Sequence, residues 1–542
     1  MTFAKESDLG IIDRESFEEE SWRINLGQSG LDVSDPDRSD DWWTGKKPFL
    51  GQCPGVAEDG KIYGLAQPDL KTSNRSQVRD YFDNGWTISE VVFGAILTDE
   101  AFYRPPYHHL RHPLIFYYVH PAVFYVNKLK LSGLTDRSIN SYFEEGLFDI
   151  GVDEMSWDDM SKNNIKWPSL EECRNYRASV YELVSNLIET VDGLEEGHDP
   201  IDMDSPLWAL FMGFEHERIH IETSSVLMRE LPLNLLKRPS YFPSIYKNGT
   251  ADSASLSAGQ NPSYPVNSFV EVSPGEVIIG KPREWPSYGW DNEYGERQVS
   301  VDKFWATKNL ITNGEFLEFV SDGGYLYREF WGEVGSSWRS FRDSQHPTFW
   351  CRNSDGSYKL RTIFEVIEMP WSWPVVVNFH EARAFANWKS KVDNSDIPYR
   401  LPTEAEHMRL RQLVGISKVE SANQVIEDSQ YNLNLKYGSE SEVGFNADKD
   451  APFTDVFGNV WQWMEDHFNS LAGFEIHPYY DDFSTPCFDG EHQMILGGSF
   501  ISIGNEASPF ARFHFRPHFF QHAGIRLVKP SGTSDGGVVL LD

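Results

Sequence analysis

The sequence predicts an α+β multidomain protein: a four-helix bundle, a flexible linker, then a loop-rich α+β domain. Three observations carry this expectation. Apolar residues recur at helical spacing in four segments between residues 76 and 231. A run of small polar residues, 249–264 (GTADSASLSAGQNPSY), follows them. Beyond it, short β-branched runs such as Val277-Ile278-Ile279 alternate with Gly, Pro and Asp turns and with isolated helical patterns at 313–320 and 380–390. The expected division is an irregular arm (1–75), a helical bundle (76–248), a linker (249–264), the α+β domain (265–530) and a flexible tail (531–542).

Taken in order, the arm is polar and punctuated by Asp35-Pro36 and Cys53-Pro54-Gly55, with Trp42, Trp43 and Phe49 as anchors. The first helix runs from Ser76 to about Leu97 on Val78, Tyr81, Phe82, Trp86, Val91, Val92 and Ile96, and Pro105-Pro106 breaks the chain after it. The second spans Pro113 to Leu131, with Gly133 beyond its end. An excursion (134–168) leads to a third helix, Ser169 to Leu194, built on Tyr176, Val180, Leu183, Leu187, Ile188 and Val191. The fourth, Leu207 to Leu231, meets no proline until Pro232. Such a set packs as a bundle, and bundle cores seat metal sites on facing helices.

Composition removes several function classes. Lys+Arg 48 against Asp+Glu 82 leaves a charge of −34, the wrong sign for nucleic acid or an anionic membrane. No run of eighteen apolar residues exists to span a bilayer, and the acidic N-terminus has no apolar core for a signal peptide. Cys53, Cys173, Cys351 and Cys487 are far apart and read as reduced thiols of a cytoplasmic protein, not as a disulfide framework or zinc site. There is no GxGxxG, GxxxxGK[ST] or GxSxG motif. Oligomeric state is not legible.

The chemistry centres on the fourth helix. His216 and His220 are four apart, so both imidazoles leave one helical face, a standard seat for a transition metal. Glu222 lies about 120° round the axis from His216, placed as a neighbouring acceptor that orients an imidazole. A third ligand must come from elsewhere. His120, in an apolar stretch of the second helix, is costly to bury unpaired and is the best placed. His108, His109 and His112 compete from the loop before that helix.

Four segments of the second domain carry a resemblance: Tyr399-Arg-Leu-Pro-Thr-Glu-Ala-Glu406, Phe457-Gly-Asn-Val-Trp-Gln-Trp463, Leu496-Gly-Gly-Ser-Phe500 and Ala523-Gly-Ile-Arg-Leu527. In this order they resemble the formylglycine-generating-enzyme (sulfatase-modifying-factor) domain, a C-type-lectin-like fold. The bundle with His120 and His216-x3-His220-x-Glu222 resembles the DinB-like domain of ergothioneine and ovothiol sulfoxide synthases. Four further stretches resemble the ovothiol branch, the 5-histidylcysteine sulfoxide synthases: Arg111-His-Pro-Leu-Ile-Phe-Tyr-Tyr118, Gly151–Asp159, Tyr288-Gly-Trp-Asp-Asn-Glu-Tyr294 and Tyr480-Asp-Asp-Phe-Ser484.

The resemblance implies a non-haem Fe(II) enzyme with His120, His216 and His220 as ligands. It implies coupling of the sulfur of L-cysteine to C5 of L-histidine with O2, giving the sulfoxide. It also implies a phenol beside the metal, matched by Tyr480 with Tyr479 as the neighbouring alternative. Asp481, Asp482, Arg512 and Arg516 are candidates, by chemistry, for the substrates' ammonium and carboxylate groups, but solvated surface pairing is the role the sequence favours for each. The competing enzyme is an ergothioneine-type synthase attacking with C2 of trimethylhistidine, and the non-enzymatic alternative is a lectin-like binding protein. Two departures from the families stand out. Formylglycine-generating enzymes use a cysteine pair where only Cys487 lies in the corresponding region. Many ovothiol synthases continue into a methyltransferase domain, whereas only fourteen residues follow Val528, so no methyl transfer is expected of this polypeptide.

Overall fold

The computed structural model describes residues 40–106, 111–149, 166–247, 263–416, 431–448 and 450–531. His108, His109, the Gly151–Asp159 segment, nearly all of the expected linker and the tail beyond 531 lie outside the described residues. Among the described residues five α-helices precede the linker: α1 (Arg75–Phe93), α2 (Asp99–Tyr103), α3 (Leu114–Leu131), α4 (Leu170–Thr190) and α5 (Trp208–Arg229). Asn74 and Gln77 form a capping box at the start of α1, and Ser169 and Glu172 do so for α4. α1 stops at Phe93, short of the expected Leu97, because the chain turns there to bond residues 235–237 instead. Leu97 donates to the Leu235 carbonyl and Lys237 to that of Ala95.

The four long helices form a ring in which α3 and α1 each pack against both α4 and α5. α5 is buried on every side except at Ile219, although it carries seven charged or imidazole side chains. Burial of that kind requires partners. Glu217 pairs with Arg177 at 3.2 Å, Arg229 with Glu440 at 2.6 Å, and Arg218 donates to the carbonyls of Phe214 and Tyr81. A helix so covered has the bundle on one side and the second domain on the other. Of the expected anchors in the arm, Trp42 is buried and donates to the Glu90 carbonyl. Phe49 is 37% exposed, with its ring edge-on to Tyr241, so it is a weaker anchor than expected.

The second domain contains β1 (Phe269–Val272), β2 (Gly275–Ile279), β3 (Arg297–Val301), β4 (Phe304–Thr307), α6 (Asn313–Ser321), α7 (Glu333–Arg342), β5 (Trp350–Arg352), β6 (Tyr358–Arg361) and β7 (Val366–Glu368). It continues through α8 (Phe379–Val392), α9 (Glu404–Leu413), β8 (Trp461–His467), β9 (Gln493–Leu496), β10 (Phe513–Phe515), β11 (Ala523–Gly524) and β12 (Val528–Pro530). The sheet order β1-β4-β12 joins the beginning and end of the domain. The sheet β10-β9-β8-β11 has β8–β9 and β9–β10 antiparallel and β11 parallel to β8, and it meets α5 where Trp461 of β8 donates to Glu222.

Two conspicuous sequence segments have local physical explanations. Thr403 and Glu406 close a capping box on α9, and Arg400 grips the Glu406 carboxylate with both terminal nitrogens at 2.6 and 2.7 Å. Gly458 has φ 71°, and a Cβ there would meet the Asn432 carbonyl oxygen at 2.6 Å, so only glycine fits. The two domains share buried polar pins. Arg361 donates to the carbonyls of Met228, Arg229 and Leu231, capping the C-terminal end of α5 from the second domain. Glu215 accepts from Tyr81 at 2.6 Å within the bundle and from the Asn505 amide at 2.8 Å across the interface. Among the described residues no helix is long and apolar enough to cross a membrane.

Candidate metal centre

α3 and α5 lie side by side, and that packing brings His120 against His216 and His220. The ring centroids of His120 lie 4.9 Å from His216 and 5.0 Å from His220, with 4.4 Å between the latter two. One ligand atom from each falls within 4.8 Å of the others. His120 Nδ1 is 2.6 Å from the Phe148 carbonyl. Only Nδ1–H can donate there, which fixes the tautomer and leaves Nε2 with a lone pair. That Nε2 is buried with no hydrogen-bond partner among the described residues. The Nε2 atoms of His216 and His220 face each other at 3.2 Å, and two lone pairs so placed repel unless a proton or a cation lies between them.

Burial pushes His120 down to about 4 and holds His216 and His220 well below the ordinary imidazole value, so all three are neutral near pH 7. Neutral imidazoles with free lone pairs are metal ligands, so the donor set fits a transition cation such as iron or zinc. Aromatic rings fix their planes. Phe124 stacks on His216 at 3.6 Å and 8°, and Phe116 stacks on His120 at 4.9 Å and 17°. A π-helical turn at Phe143–Leu147, within the excursion between α3 and α4, delivers the Phe148 carbonyl.

The second domain closes one side of this centre. Tyr480 packs against Phe124 at 5.0 Å and reaches the His216 ring at 6.2 Å. Lys128 sits over the faces of Tyr480, at 4.1 Å, and Phe124, at 4.9 Å. Burial lowers its pKa, while Asp482, Asp149 and Asp481 act to raise it. Asp481 and Asp482 are exposed beside that ammonium. Tyr479 turns instead to the ring of His477, at 5.0 Å.

Two expectations need correction. Glu222 does not orient an imidazole. It accepts from Trp461 Nε1 at 2.6 Å, Ser499 Oγ at 2.7 Å and Ser502 Oγ at 2.6 Å, all in the second domain. Its position about 120° round α5 points it across the interface rather than along the histidine face. Arg512 is buried, bonded to Glu404 at 2.7 Å and to the carbonyls of Asn292 and Asn469, with its donors committed to the fold. Arg516 is engaged by Glu491 and Asp489, the surface pairing that the sequence favours for it. Of the competing histidines, His112 lies on the far side of Phe116, whose ring separates it from His120.

Lys128 was not singled out in the sequence, yet a signal existed. His120, Phe124 and Lys128 stand at i, i+4 and i+8 on one stripe of α3. Arg111 was also missed as a site residue. It is buried, stacks on Phe519 at 4.5 Å, and its charge is felt at His220.

Residues 255–531 match the family model described as "Sulfatase-modifying factor enzyme 1-like domain". The chain is 23% identical over 468 residues to "Ergothioneine biosynthesis protein 1" of Schizosaccharomyces pombe, covering 78% of this chain and 52% of that protein. It is 29% identical over 247 residues to "Hercynine oxygenase" of Mycobacterium tuberculosis, covering 44% of this chain and 55% of that one. The "Hercynine oxygenase" of Mycolicibacterium smegmatis is 26% identical over 391 residues, 68% of this chain and 80% of its own length. The chain thus spans about half the length of the first two of these relatives.

Proposed function

We propose, from the premise that this chain belongs to the sulfatase-modifying factor enzyme 1-like family, that it is a non-haem iron sulfoxide synthase. It joins the sulfur of cysteine to an imidazole carbon of a histidine or methylated histidine. The balance is complete with O2: an S–H and a ring C–H are lost, a C–S bond and an S=O bond form, and the second oxygen atom leaves as water. The observation that carries this reading is the convergence of His120, His216 and His220 in a buried centre, with Tyr480 from the other domain beside them.

Bound Fe(II) supplies O2 activation and acidifies a substrate thiol. The chain's residues do the rest. Neutral imidazoles, fixed by the Phe148 carbonyl and the Phe124 and Phe116 rings, would hold the metal. The apolar wall of Phe116, Tyr117 and Phe124 excludes water. The phenol of Tyr480 holds the proton that the oxygen chemistry consumes. Lys128 presents a positive charge for an amino-acid carboxylate, and Asp481 and Asp482 present negative charge for the ammonium.

The names of the relatives favour the trimethylated acceptor and the ergothioneine-type reaction at C2. One feature of the site favours the unmethylated acceptor. A trimethylammonium group is held by aromatic faces or carboxylates, and the faces of Phe124 and Tyr480 already carry the chain's own ammonium, Lys128, which leaves it the exposed Asp481 and Asp482. Competition decides. Iron-loaded protein with cysteine, O2 and equal histidine and hercynine gives products separable by mass, with regiochemistry read by NMR. Exclusive hercynine coupling selects the C2 reading, and exclusive histidine coupling at C5 selects the other. Absence of any coupled product with either acceptor defeats both in favour of a binding protein.

A further inference from the structure

A second group of ligands converges in the second domain, apart from the three histidines. Cys487, His492 and His514 each bring one ligand atom within 4.8 Å of the others. Strand pairing explains part of this. His514 in β10 lies opposite Met494 in β9, and His492 stands two residues before Met494, so both histidines project from one face of the ladder. Their rings meet edge-on at 5.1 Å and 86°. Cys487 comes from the turn Thr485–Cys487, just before β9.

Three features go beyond proximity. His492 Nδ1 lies 2.9 Å from the Asp489 carboxylate, an arrangement that fixes the tautomer with Nε2 as the lone-pair nitrogen. His514 is stacked on Phe468 at 4.0 Å and 23°, and its Nδ1 is buried with no partner among the described residues. The thiol belongs to an apolar cluster with Met464, Phe468, Met494 and Leu496, where imidazole nitrogens need partners.

We infer that Cys487, His492 and His514 form a second metal site, for a thiophilic divalent cation of the Zn2+ type. A thiolate and two neutral imidazoles suit such a cation, and binding releases the cysteine proton. The site ties the turn after Tyr480 to the β9–β10 strand pair. Cys487 stands seven positions after Tyr480, so the cation fixes the segment that holds the phenol against Phe124 and His216. This site does not depend on the sulfoxide-synthase reading.

Co2+ is the probe, because thiolate-to-cobalt charge transfer absorbs in the near ultraviolet and the three-histidine centre has no thiolate. Titration of the full chain is expected to raise that band to saturation, and Zn2+ to remove it. The band is expected to be absent in Cys487→Ser, to need at least about tenfold more Co2+ in His514→Ala, and to persist in His216→Ala. Circular dichroism checks that each variant is folded. Absence of the band in folded wild-type protein, or its survival in Cys487→Ser, overturns the inference. These outcomes are read without turnover, so they stand apart from any failure of the catalytic proposal.

Discussion

Replacing Glu222 by alanine separates two roles that a carboxylate beside a metal centre can have. Glu222 is buried and accepts three hydrogen bonds from the second domain, and none of its bonds reaches an imidazole. Truncation strands the Trp461 indole N–H and two serine hydroxyls. A buried donor left without a partner costs about 1–3 kcal/mol. The hydroxyls of Ser499 and Ser502 lie 3.4 Å apart and can turn to each other, which confines most of the loss to the indole and one hydroxyl. Burial raises the Glu222 pKa despite the three donors, so removing the charge returns part of that loss. The expected net cost is about 3 kcal/mol, a large share of a typical stability of roughly 5–15 kcal/mol. Glu222→Gln keeps an acceptor and is expected to cost about 1 kcal/mol. Urea unfolding followed by tryptophan fluorescence measures the cost, and Fe(II) titration of the folded variants measures metal affinity. The reasoning fails if Glu222→Ala unfolds at the wild-type midpoint while binding iron tenfold more weakly.

Tyr480→Phe is expected to keep Fe(II) affinity within a factor of about two, while coupling slows by about 10²–10⁴-fold or diverts to oxidation of cysteine alone; a wild-type product ratio returns the role to Tyr479. Arg512→Ala takes one of two guanidinium partners from the buried Glu404, leaving Arg297 at 3.2 Å, so it is expected to destabilise the fold by less than the about 3–5 kcal/mol of a fully broken buried pair. A raised KM for an amino-acid substrate at unchanged stability would contradict that structural assignment. Metal-free protein should weaken in acid. The folded His120 pKa of about 4 lies below the ordinary imidazole value of 6.5. Above pH 6.5 the group costs nothing, and as pH falls towards 4 only the unfolded chain takes the proton. His120 alone thus removes about 3 kcal/mol across that window. His216 and His220 act in the same direction. Denaturant midpoints of metal-free protein between pH 7 and 4 check this, and a flat profile would show that the imidazoles are not buried neutral.

What the sequence made legible follows from periodicity and from short-range chemistry. The four long helices stand out because apolar spacing over fifteen or more residues has few other readings. His216 and His220 declare themselves because one turn of one helix relates them. His120 needed a further argument, the cost of an unpaired imidazole in an apolar helix, and α3–α5 packing places it there. Contacts made across long sequence separations were not legible. Glu222 was assigned to the histidines because they are close in sequence, but its partners lie 239 to 280 residues away. Arg512 reads as a surface-paired cation because Glu404, its buried partner, is 108 residues earlier. The cysteines showed no metal spacing because the other ligands of Cys487 are histidines, one of them brought in by strand pairing.

The measurement that tests the central claim most directly is anaerobic Fe(II) titration of wild-type protein and His120→Ala, followed by cysteine, each acceptor in turn, O2 and mass spectrometry. The account predicts that wild-type protein binds iron at the three-histidine centre and forms a C–S coupled sulfoxide with at least one acceptor. Folded His120→Ala should lose both the iron and the product. Full iron occupancy and turnover in His120→Ala would contradict the three-histidine centre.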